Sequence, residues 1–188
     1  MRWFGDGAFV FGVALLFALI EIEIEGAHGW AKNLPTVRGV CGTSMTLYHL
    51  YMLAFLLVVV GGFVWFRAPC DSDSSAQEEP RWRRALRGGV RAAAFFVAVL
   101  LAEDFLWFVL NPAFGLAKYT AEHVPWHTFW GGMPASNYTG AAALVVLGAV
   151  GALALGDAHL PGALGTVAGL TGAAALAGPA YRAARGSV

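Results

Sequence analysis

Long apolar runs alternate with short polar stretches along the chain, and the runs set its organisation. Five of them approach the roughly 20 residues that a helix needs to cross a hydrocarbon core. They lie near 7–24, 45–66, 92–110, 140–155 and 160–181, the fourth being the shortest. The pattern predicts an all-α fold: a polytopic integral membrane helix bundle of about five transmembrane helices, forming a single membrane domain over 1–188. Acidic residues, not a small-x-small cleavage site, follow the first run, so it reads as an uncleaved membrane helix. The brief "GDAHLPG" turn makes the last two runs an antiparallel hairpin, with Pro161 suited to a helix start.

Between the second and third runs, "RAPCDSDSSAQEEPRWRRALRGGVR" has the composition of a soluble loop over 67–91. It carries Arg67, Arg81, Arg83, Arg84, Arg87 and Arg91, half of the 12 Lys and Arg residues. The positive-inside rule makes this loop cytoplasmic, with the N-terminus on the same side of the cell membrane. Cys41 and Cys70 then fall in loops on opposite sides, which argues against a disulfide between them. Gly148, Ala152 and Gly156, then Gly165 and Gly169, recur at four-residue intervals in the last two helices. Small residues at that spacing let helix backbones approach closely, within the bundle or in an oligomer or larger complex.

Composition narrows the function classes. At 58% hydrophobic and 13% charged residues, the chain is too apolar for an ordinary soluble domain. Lys plus Arg and Asp plus Glu both number 12, so it lacks the basic excess that nucleic-acid binding needs. Membrane lipid is the expected surrounding partner.

Because successive helices reverse direction, the polar residues collect at one end. Glu21, Glu23, Glu25 and His28 close the first helix, His49 opens the second, and Glu103 and Asp104 interrupt the later half of the third. His123 and His127 follow in the next loop, leaving only His159 of the five histidines at the other end. A charged side chain at mid-bilayer costs about 2.5–3.5 kcal/mol on insertion scales, so Glu103 and Asp104 call for partners or a task. At about 100° per residue they face different neighbours, one into the bundle and the other toward a helix interface or the polar boundary.

Glu21, Glu25 and His28 make one stripe, with Glu23 roughly opposite. An acid and an imidazole three residues apart on one helical face is the way carboxylate-bridged metal sites present their ligands. Pro125 stands between His123 and His127, so these are two nearby imidazoles and not a helical pair. The candidate metal ligands are therefore Glu25, His28, His49, His123 and His127, for Zn, Fe or Mn, with Glu21 and Glu103 as candidate catalytic groups. The expectation is a metal-dependent enzyme that activates water or oxygen against a lipid or small amphipathic substrate. Two alternatives stand beside it: a proton or metal-ion carrier or small subunit of a larger membrane complex, and a scaffold without ligand.

Overall fold

The computed structural model describes residues 2–25, 34–38, 44–67, 80–124, 129–130, 133–134 and 138–186. Five α-helices dominate: α1 (Arg2–Glu25), α2 (Leu47–Arg67), α3 (Arg81–Leu110), α4 (Gly140–Ala154) and α5 (His159–Arg185). Four of them, α1, α2, α3 and α5, are long and apolar enough to cross a membrane, whereas α4 has 15 residues. The chain is an all-α helix bundle of multi-pass membrane character. Two short antiparallel ladders, which the hydrophobic pattern does not announce, lie between helices. β1 (Thr36–Arg38) pairs with β2 (Ser44–Thr46), and β3 (Phe129–Trp130) with β4 (Met133–Pro134).

Helix α3 is the axis of the bundle and touches each of the other four. It buries Phe95, Ala98, Val99, Ala102 and Leu106 at helical spacing, while α1 contributes Val10, Ala14, Phe17 and Ile22 and α2 contributes Leu56, Val60 and Val64. Leu57, Val58 and Trp65 of α2 and Leu144 and Leu147 of α4 face outward, as a lipid-facing surface requires. Close backbone approach shapes three crossings, one of them at Gly178, where α5 meets α3 and a Cβ would stand 2.6 Å from Val109 Cγ1. A Cβ at Gly7 would stand 2.4 Å from the Ala163 carbonyl oxygen where α1 meets α5, and one at Gly148 would stand 2.9 Å from Ala94 Cβ where α4 meets α3. Gly165 and Gly169 do not serve the same purpose within the chain, since a Cβ at either meets nothing within 4 Å.

Contacts between residues far apart in sequence fix the alternation of direction. At one end Asp6 of α1 meets Arg67 of α2, and Arg91 of α3 meets Asp157 in the α4–α5 turn. At the other, Arg182 near the end of α5 donates to the Val109 carbonyl near the end of α3, and Arg185 pairs with Glu23 of α1. A cation on the last carbonyls of a helix also complements its dipole.

One boundary departs from the sequence reading. Helix α3 starts at Arg81 and runs for 30 residues, so the second half of the expected 67–91 loop is helical. Arg is a good helix former, and its charge marks the segment as polar without making it a loop. Arg91 shows the use of this extension. It places Nε and Nη2 at 3.0 and 2.7 Å from Asp157 Oδ2, while Asp157 Oδ1 accepts the amides of His159 and Leu160 at the start of α5.

Candidate functional site

The last turns of α1 bring Glu21 and Glu25 to the inner side of the helix, half-buried, with Ile22 buried between them. Glu23 points outward and pairs with Arg185, as the helical phase predicts. On α3, Glu103 is the inward member of the acidic pair, only 9% exposed. Its carboxyl lies within hydrogen-bonding reach of the Glu21 carboxyl, and Glu25 and Asp104 are close enough to act on it through their charge. No described N–H or O–H of another residue satisfies Glu103 Oε1. Tyr48, at the start of α2, adds a long hydroxyl contact of 3.5 Å to Glu21 Oε1.

Asp104, one residue on, turns away from this pair and accepts the hydroxyl of Tyr138, just before α4. The Tyr138 ring meets Tyr119 edge-on at 5.6 Å, and Tyr119 in turn lies 4.5 Å from Phe108. Burial pushes the Tyr119 phenol up to about 12, with the Asp104 charge adding to the rise and the Tyr138 hydrogen bond opposing it. Burial and the Asp104 charge raise Tyr138 as well, so it serves as a neutral donor.

The described cations at this end are engaged elsewhere. Arg182 is on the Val109 carbonyl, Arg185 is on Glu23, and Lys118 Nζ is 2.6 Å from the Ala113 carbonyl. Among the described residues, none of them bonds Glu21, Glu25 or Glu103. Two carboxyl groups at hydrogen-bonding distance without a donor between them require a proton or a cation from outside the described set.

The imidazoles fall differently from the carboxylates. Thr46 caps the start of α2, its Oγ1 lying 3.3 Å from the His49 amide and 2.7 Å from His49 Nδ1. That geometry makes His49 part of the N-terminal cap of α2. His123 is exposed, with Nδ1 2.9 Å from Thr120 Oγ1. His28 and His127, like Cys41 and Cys70, lie outside the described residues. Among the described residues no three of His, Cys, Asp and Glu are grouped so as to hold a metal ion. Sequence reading passed over Tyr48, Tyr119, Tyr138 and Trp107. Only Trp107 carried a usable signal, standing one helical turn after Glu103 in an apolar run.

No protein-family model, curated protein or solved structure matches the chain, so the functional reading rests on the site.

Proposed function

We propose that this chain is an integral membrane enzyme in which Glu21 and Glu103 share a proton and act as an acid–base pair on a lipid or small amphipathic substrate. The observation that carries the reading is the contact between two carboxyl groups, one of them buried, inside apolar helices. A pair sharing one proton offers an acid and a base at the same point, and a poorly solvated setting makes each transfer sensitive to what binds beside it. Below the pair the core is apolar through Ala102, Val99 and Ala98 of α3 and Phe17, Ala14 and Val10 of α1. Such a core supports a site approached from one leaflet and speaks against the carrier reading, which needs polar groups continuing across.

The second reading puts Zn, Fe or Mn in place of the shared proton, with Glu25, His28, His49, His123 and His127 as candidate ligands beside Glu21 and Glu103. It is favoured by the carboxylates that no described Lys or Arg compensates. Elemental analysis of the purified protein separates the two. For the enzyme itself, proteoliposomes carrying wild type or Glu103→Gln are incubated with a mixed lipid extract and compared by untargeted mass spectrometry. A species consumed only by wild type is expected; identical profiles would remove the enzymatic reading.

A further inference from the structure

Near the end of α3, two buried polar atoms one helical turn apart have no hydrogen-bond partner among the described residues: Oε1 of Glu103 and Nε1 of Trp107. They are of opposite kinds, an acceptor and a donor. The residues are four apart, so their side chains leave the same face of the helix one turn from each other, with Cβ atoms about 5–6 Å apart. Both are shielded, Glu103 at 9% and Trp107 at 6% exposure. The Trp107 ring is held by edge contact with Phe108 at 5.0 Å and by Phe114 at 4.9 Å. A buried indole N–H ordinarily finds a partner, and leaving one unpaired is costly.

We propose that this face of α3 is a binding site for the hydroxyl group of an amphipathic ligand. Its oxygen accepts the Trp107 Nε1 hydrogen and its O–H donates to the Glu103 carboxyl. A hydroxyl combines donor and acceptor on one atom, which is what the two orphaned groups ask for together. An ammonium group meets only the acceptor, and an ether or ketone meets only the donor. Packing by Phe108 and Phe114 makes the surroundings of Trp107 apolar, which favours a hydroxyl carried on an alkyl chain over a free ion. The inference rests on Glu103 being the reactive acid and names the substrate class of that site: an alcohol-bearing amphiphile.

The test uses the full chain, 15N-labelled, in phosphatidylcholine nanodiscs, whose lipid has no hydroxyl. Trp107→Phe identifies the Trp107 indole N–H signal among those of the seven tryptophans by its loss. Dodecanol is expected to move that signal downfield, dodecane to leave it in place, and methyl dodecyl ether to bind about fivefold more weakly for want of the donated hydrogen bond. An indole signal that dodecanol does not move overturns the proposal, including the case where it is already downfield because a water alone occupies the site. Equal affinity for the alcohol and the ether overturns it as well. A carboxyl pair shown by infrared spectroscopy to hold no proton, with the Trp107 response intact, would remove the acid–base reading and leave the hydroxyl site standing.

Discussion

At the end of the bundle where α1 begins, Asp6 meets Arg67 and Asp157 meets Arg91; at the end where α3 finishes, Glu21 meets Glu103 and Asp104 meets a phenol. In the first region Asp6 and Asp157 each have a guanidinium across a helix interface, and Asp157 also accepts two backbone amides, so its charge is spent on holding α3 and α5 together. In the second, the described arginines go to a backbone carbonyl and to the outward Glu23, and no described Lys or Arg reaches the inner acids. Compensated charge stabilises a fold, whereas uncompensated acid in a dry place has to be maintained by something that binds there. That contrast is what supports the proposal that the second end is the working one.

The largest effect should come from breaking the compensated end. Arg91→Ala leaves Asp157, whose side chain is 1% exposed, as a buried unpaired charge, and a loss of about 3–5 kcal/mol is expected in detergent-solubilised unfolding. Arg67→Ala should cost less, about 1–3 kcal/mol, because it too leaves a buried acid, Asp6, but the Arg67 side chain is 40% exposed, so water enters beside Asp6 when it is removed. Equal losses in the two variants would show that burial does not set the strength of these pairs.

At the other end, Tyr138→Phe removes the hydrogen bond to Asp104 and should cost about 1.5–3 kcal/mol, the range for a bond to a charged group. A smaller effect is expected for Glu103→Gln. Its amide can donate to Glu21 as the shared proton does, so stability should stay within about 1 kcal/mol of wild type. The protonated-carboxyl band in the infrared difference spectrum should meanwhile disappear. If Glu103→Gln destabilises as much as Arg91→Ala, then Glu103 faces a cation, and the metal reading displaces the proton-sharing one.

The smallest effect is a pH dependence at the alkaline end. The Tyr119 phenol is raised to about 12 in the folded chain. Its unfolded value is near 10. Its stabilising contribution is thus present below about pH 10 and is lost as the pH rises toward 12. Melting midpoints should fall across that window in wild type and fall less steeply in Tyr119→Phe; parallel curves would detach Tyr119 from the Asp104 network.

Much of this arrangement is legible in the chain. The apolar runs place the helices because only an internally hydrogen-bonded segment is tolerated in hydrocarbon, and their alternation brings Glu21, His49 and Glu103 to one end. The helical period puts Glu21 and Glu25 together and Glu23 opposite, which is how they stand. The helical start of α3 at Arg81 was hidden because composition reports polarity, and arginine is polar and helix-forming at once. The contact of His49 with Thr46 was hidden as well, because a histidine beside acids at a helix end has the same appearance in sequence whatever it meets.

Periodicity fixes the angle between two residues of one helix, but not how that helix is rotated against its neighbours. Rotation is decided by packing: α1 against α5 at Gly7, α4 against α3 at Gly148, and α3 against all four. From the chain alone, therefore, Glu103 and Asp104 had to diverge, and the acids had to gather at one end of the bundle. Only the tertiary structure decided that Glu103 turns inward to Glu21, that Asp104 goes to Tyr138, and that Arg91 is used on Asp157. Each of these contacts joins residues far apart in sequence, and close packing selects one set of rotations from the many that the hydrophobic stripes allow.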